Sequence, residues 1–448
     1  MIYLTDATIV TGEAVRKGTV GLEGDRIAAI WEEGQTPAGI GSPDATVIPL
    51  KGKLLLAGGI DAHVHFREPG LTAKADFASE SRAALLGGVT AVIDMPNTQP
   101  PTTSEDRLDE KRRMAAGRSW VHYGFHIGAT NENHDDLLPC IRNGKAAGIK
   151  VFMGSSTGNM LVDREETLEK IFRITDAEIL IHAEDEGLIR EGISRAKAQY
   201  GEQIPFSAHP FIRSREACIR ATEKALEMAV RLGTRLHILH VSTAEEIELI
   251  RQAKRQNPAI WAETSANYLW FSDADYTRLQ GKIKCNPAIK TTADRKALRK
   301  GLAEGIIDTI GSDHAPHLPA EKERPYLTCP SGIPSIQQSL PVLLTVAQEE
   351  GIPLSRIASV FSEAPARAFG IQDRGQIRPG CKADLVVVDP DAPAQTDEPA
   401  YKCGWSPYQG EALMGSIRMV FLNGKMAVRD GRVLLPEACG EALTFVRP

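Results

Sequence analysis

No stretch of about 18 or more apolar residues occurs in the sequence, so no segment reads as a transmembrane helix. Long basic runs are missing too, and the formal charge of −6 is mild, which removes nucleic acid and the membrane surface from the expected partners. Met1-Ile2-Tyr3-Leu4-Thr5-Asp6 places no basic stretch ahead of an apolar run; a secretory signal is not read there, and the expected compartment is the cytoplasm. Seven cysteines (Cys140, Cys218, Cys285, Cys329, Cys381, Cys403, Cys439) are dispersed and contain no Cys-x-x-Cys pair. That argues against a disulfide framework and against a thiolate zinc site, leaving reduced packing thiols.

The 448 residues are 42% hydrophobic and 25% charged, the balance of a globular chain able to bury a large core. From about residue 55 to 315, short β-branched apolar runs alternate with longer amphipathic segments, the βαβα rhythm of a parallel sheet. Eight such runs stand at 53–61, 89–95, 121–127, 149–153, 178–181, 236–240, 259–264 and 306–310. Helices are expected between them, for example at 213–232, 244–256 and 291–303, the last opening on Thr291-Thr292-Ala293-Asp294 as a cap. The expected fold is α/β, a closed (β/α)8 TIM-like barrel over 53–374. Residues 1–52 and 375–448 carry short strands with turn signals at Gly24-Asp25, Asn423-Gly424 and Asp430-Gly431, and are expected to meet in one small β-sandwich domain.

Candidate ligands fall at the ends of the expected strands, where barrel enzymes build their sites. In Asp61-Ala62-His63-Val64-His65 the two-residue period of a strand puts Asp61, His63 and His65 on one face, so two imidazoles reach one ion. The alternative, two core histidines satisfied by backbone carbonyls, needs no metal. Lys150 stands in the apolar run Ile149-Lys150-Val151-Phe152. A buried ammonium is costly, and one resolution is carboxylation, in which the neutral amine adds CO2 and the carbamate bridges two cations. A lysine snorkelling from a strand end is the other. Later strands end on His182, His240 and Asp313, which with His63, His65 and Lys150 make a nitrogen and oxygen set fit for two borderline divalent ions, zinc the first choice.

With these residues the chain resembles the dihydroorotases of the amidohydrolase superfamily, from His63-Val64-His65 to Arg378-Pro379-Gly380-Cys381-Lys382-Ala383-Asp384-Leu385. The resemblance implies His63 and His65 on the more buried metal, Lys150 carboxylated at its amine as the bridge, His182 and His240 on the second metal, and Asp313 as both ligand and catalytic base. It also implies that Arg67, Asn97 and His317 hold the carboxylate of dihydroorotate or carbamoyl-aspartate. Asn286 would meet the ring carbonyl, and Ser331 and Gly332 would add backbone contacts. On residue grounds alone, Asn97 serves equally as a turn residue after a strand. His237, out of phase with His240, is read as structural. A homodimer is expected, since barrels of this type often pair.

One segment departs from the family pattern: where many dihydroorotases carry Thr-Pro-His-His, this sequence has Thr264-Ser265-Ala266-Asn267-Tyr268-Leu269. Two other functions compete with the resemblance. Another cyclic amidase, of hydantoinase, dihydropyrimidinase or allantoinase type, would share the metals but have no use for Arg67. A non-catalytic barrel scaffolding a pyrimidine-pathway enzyme would have no use for six candidate ligands at five strand ends.

Overall fold

The computed structural model describes residues 1–153 and 160–446, so the last two residues of the expected 375–448 segment lie outside it. Eight parallel positions form the barrel: β1 (Gly59–Val64), β2 (Val89–Asp94), β3 (His122–Phe125, continued by Ile127–Gly128), β4 (Ile149–Phe152), β5 (Ile179–His182), β6 (Leu236–Ile238), β7 (Ile260–Thr264) and β8 (Thr309–Ile310). Each pairs in parallel with the next. The ring closes where Val64 bridges His314 and the His65 N–H donates to the His314 carbonyl at 2.8 Å. β1 to β6 contain no exposed residue, because side chains fill the inside and helices cover the outside, which is why these strands read as apolar runs rather than alternating ones.

Helix limits follow local capping chemistry. The helix expected over 213–232 is Arg215–Leu232, started by Ser214, whose side chain accepts from the Ala217 N–H, and stopped by Gly233 at a left-handed φ of 70°. Ala244–Gln256 and Thr292–Ala303 open on reciprocal caps, Thr243 with Glu246 and Thr291 with Asp294.

The expected strand 53–61 is in fact two. Gly58 interrupts it: Leu54–Ala57 joins the terminal sheet, pairing with Leu385–Pro393 and Ile2–Val10, while Gly59–Val64 begins the barrel. Any Cβ at Gly58 would stand 2.3 Å from the Thr90 hydroxyl, so the crossing needs glycine. The terminal strands hydrogen bond in one nine-stranded sheet, eight of them in a single path and Thr46–Pro49 branching from Ile2–Val10, rather than as two separate sheets. Its Arg26–Glu32 edge bridges back to Lys382 through Arg26, so the sheet folds over a core of its own that includes Leu4, Ile9, Leu55, Val387 and Phe421.

The chain then returns to the barrel. Ala442 bridges Tyr123, Phe445 bridges Ile371, and Leu443 and Phe445 pack with Ile60, Ala91 and Leu180 at the opposite end from the candidate ligands. Asp384 ties the two parts together: it accepts from the Asn423 N–H at 2.7 Å, from Arg374, and lies 3.4 Å from His122 Nε2.

Candidate metal centre and substrate cavity

His63, in β1, and His65, the first residue past its end, bring their rings to the same mouth, with centroids 5.4 Å apart and exposures of 1% and 9%. Asp313, beyond β8, brings Oδ1 to 3.3 Å from His63 Nε2 and 3.0 Å from His65 Nε2. Ligand atoms of these three side chains all lie within 4.8 Å of one another. On the other side of the mouth His182 ends β5 and His240 follows β6; His182 Nδ1 is 2.9 Å from His240 Nε2, and the His63 and His240 rings are 5.5 Å apart. Lys150, 1% exposed, rises from β4 with Nζ 4.6 Å from the Phe152 ring centre.

One cavity of about 410 Å3 is lined by all the expected metal ligands and substrate contacts: His63, His65, Arg67, Asn97, Lys150, His182, His240, Asn286, Asp313, His317, Ser331 and Gly332. Three of them hold left-handed backbone, Arg67 at φ 65°, His240 at 39° and Asp313 at 49°. For residues other than glycine this costs roughly 1–3 kcal/mol each, and such strain concentrates at functional sites.

The outer contacts of three of the four imidazoles fit a metal, while His240 Nδ1 has no hydrogen-bond partner among the described residues. His63 Nδ1 pairs with Glu263 at 2.6 Å, His65 Nδ1 with Asn97 Oδ1 at 2.7 Å, and His182 Nε2 with Glu184 at 2.8 Å. Each oxygen acceptor fixes the proton on the outward nitrogen and leaves the inward lone pair for a cation, the arrangement that orients metal-binding histidines. Glu184 is itself held by Arg213.

Electrostatics agree with neutral donors. Burial lowers His182 and drives His63 and His240 well below the ordinary histidine range, with Lys150 adding to each. Burial also brings the Lys150 ammonium down to about 7, against the opposing pull of Asp313 and Glu263, so a neutral amine is accessible at physiological pH. The Glu263 carboxyl is raised well above normal by burial and by Asp61, which is itself raised by burial to about 7. Asp61, on the same strand face as the histidines, accepts from the backbone N–H of His63 and of Ser312, both at 3.1 Å.

Strand alternation does not bring Arg67 to the cavity, as β1 has ended at Val64. A left-handed turn does so instead, and the guanidinium lies with Nε 3.2 Å from the Pro316 carbonyl and Nη2 3.1 Å from His317 Nε2. Asn286 Oδ1 is buried without a hydrogen-bond partner among the described residues. The 264–269 stretch contributes nothing to the wall; Asn267 is buried against Tyr408 and Tyr268 against the Pro287 carbonyl. His237 is also outside the cavity, bonded to Thr309 and stacked on Phe369.

Glu263, Glu184, Lys74 and Arg213 were not singled out from the sequence. Glu263 carries the same signal as Lys150, a charge inside a buried strand, and Glu184 lies one alternation beyond His182. For Lys74 and Arg213, both on the cavity wall, no sequence pattern marks the position.

Comparison with known proteins agrees with this geometry. Residues 54–427 match the model of the amidohydrolase family, whose members are generally metal-dependent. A dihydroorotase of Methanosarcina acetivorans is 33% identical, the alignment covering 98% of this chain and 96% of that one. An allantoinase of Streptomyces avermitilis is 30% identical over 97% of each. The solved structure of an L-hydantoinase (dihydropyrimidinase) from Arthrobacter aurescens superposes with a TM-score of 0.92 at 27% identity, covering 99% of both chains. Full-length identity, fold and a clustered donor set all converge, and the chain belongs to the amidohydrolase family, among its cyclic amidases.

Proposed function

We propose that the chain is a dihydroorotase, interconverting (S)-dihydroorotate and N-carbamoyl-L-aspartate in pyrimidine biosynthesis. The observation that carries the reading is Arg67, a buried guanidinium on the cavity wall beside His317 and in the same cavity as Asn97. A guanidinium is the side chain best matched to a carboxylate, which dihydroorotate carries and the hydantoin, dihydrouracil and allantoin rings lack.

His63, His65, Lys150 as its carbamate, His182, His240 and Asp313 would hold two divalent cations, and their nitrogen and oxygen donors suit zinc. When bound, such ions supply Lewis acidity, polarising a carbonyl and lowering the pKa of water toward neutrality. Asp313 takes the proton of the attacking water and delivers it to the departing ring nitrogen; in ring closure it carries the proton the other way. Arg67, Asn97 and His317 fix the carboxylate. Asn286, Ser331 and Gly332, on the wall of the same cavity, orient the ring. The enzyme is further proposed to work in the cytoplasm as a homodimer, which sedimentation of the purified chain tests.

The second reading is a cyclic amidase for an uncharged ring, favoured by the names of the Streptomyces and Arthrobacter relatives. A purified-enzyme assay separates the two: loss of dihydroorotate with and without chelator, beside the same assay on dihydrouracil and allantoin. Chelator-sensitive turnover of dihydroorotate is expected. Preference for an uncharged ring overturns the substrate, and activity indifferent to metal removal overturns the mechanism.

A further inference from the structure

Lys74 stands on the cavity wall, three residues before the helix Phe77–Leu86, with Nζ 3.0 Å from His317 Nδ1 and 2.9 Å from Glu321. On the other edge of the same ring, His317 Nε2 is 3.0 Å from the Ser331 carbonyl and 3.1 Å from Arg67 Nη2. These contacts fix the imidazole's proton. An ammonium only donates and a carbonyl only accepts. A neutral ring satisfies both in one way, with its lone pair on Nδ1 toward Lys74 and its proton on Nε2 toward Ser331. Burial, with Arg67, Lys322 and Lys74 around it, holds His317 far below the ordinary histidine range, so the ring is neutral. Arg67 Nη2 then faces an N–H rather than a lone pair. Two donors 3.1 Å apart cannot bond each other, so with the Nε2 proton on the Ser331 carbonyl the ring offers Arg67 Nη2 no acceptor.

We propose that Lys74 is a positioning residue for the substrate's carboxylate, holding His317 as the Nε2–H tautomer so that Arg67 Nη2 is denied the imidazole lone pair and left to the anion, while Nε stays on the Pro316 carbonyl. The inference rests on the dihydroorotase reading and goes beyond it, since it concerns a lysine that touches the proposed carboxylate site through His317. Without Lys74 only the Ser331 carbonyl still holds the proton on Nε2, and Glu321 Oε2, 3.8 Å from Nδ1, with Arg67 Nη2, 3.1 Å from Nε2, draws the ring toward the Nδ1–H tautomer, whose Nε2 lone pair binds Arg67.

The test compares wild type, Lys74→Met and Lys74→Arg, all as metal-loaded enzyme. With dihydroorotate, Lys74→Met should raise KM by about tenfold or more while kcat stays within about threefold, because a binding interaction is lost rather than one made only in the transition state. Lys74→Arg keeps a cationic donor and should restore KM to within about threefold of wild type. Nitrogen-15 NMR of histidine-labelled protein should show His317 Nδ1 unprotonated in wild type and protonated in Lys74→Met. KM unchanged in Lys74→Met, a fall confined to kcat, or a protonated Nδ1 in wild type would overturn the inference. A wild-type enzyme that ignores dihydroorotate instead defeats the substrate reading, and the Nδ1 signal still decides the tautomer.

Discussion

His182 Nδ1 lies 2.9 Å from His240 Nε2, with the two ring planes at 79°. Two imidazole lone pairs at that distance repel unless a proton or cation lies between them, and Glu184 already holds the other nitrogen of His182. Glu184→Gln keeps the shape but gives up the negative charge that makes His182 a better donor. It should weaken metal binding roughly 10–100-fold, as loss of such outer partners generally does, measured by competition with a chromogenic chelator. Unchanged affinity would mean that His182 is not a ligand.

Arg67→Lys tests the carboxylate grip without removing charge. The planar fork is lost, and KM for dihydroorotate should rise by about 30-fold or more, the equivalent of roughly 2 kcal/mol and upward. Equal KM values for the two enzymes would shift the assignment toward uncharged rings.

Lys150 gives a pH dependence with a definite sign. Only the neutral amine adds CO2, and burial has brought the pKa from 10.5 down to about 7. Reconstitution of metal-free enzyme with zinc and bicarbonate, corrected for dissolved CO2, should therefore speed up as pH rises through about 7 and level off above it. Lys150→Met should recover no activity at any pH in the same assay. A rate that climbs only above pH 9 would place Lys150 in contact with water.

Most of the barrel was legible because its strands are buried on both faces, and β4 to β7 therefore read as apolar runs. Donors at strand ends were legible for the same reason: Lys150 and His182 interrupt such runs. The division of 53–61 was not, because Gly58 has no side chain to break the apolar pattern and the need for glycine comes from Thr90, some thirty residues away. Nor was the route of Arg67, since a left-handed turn leaves no periodic trace. Lys74 acquires its role only from a ring more than 240 residues later in the chain.

Asp384 predicts where acid acts on the fold. Burial pushes its carboxyl upward, but His122 and Arg374 outweigh that and hold it at about 2, against 3.8 for a free aspartate. A depressed carboxylate stabilises the folded state above its unfolded pKa and stops doing so as pH falls through its folded one. Asp384→Asn should therefore lose on the order of 2 kcal/mol in urea unfolding at pH 7, and the gap from wild type should close as the pH approaches 2. A gap independent of pH would assign the loss to geometry rather than charge.

The barrel's seam has a consequence for how the enzyme matures. Val64 and His314 meet there, flanked by His63 and His65 on one side and by Asp313 on the other. Residues about 250 positions apart must dock before those donors become neighbours, so a nascent chain that has made only its first strands carries two histidines without the carboxylate that completes the cluster. The complete three-residue donor cluster exists only once the seam is closed, and an ion held by it would act as a rivet across that joint.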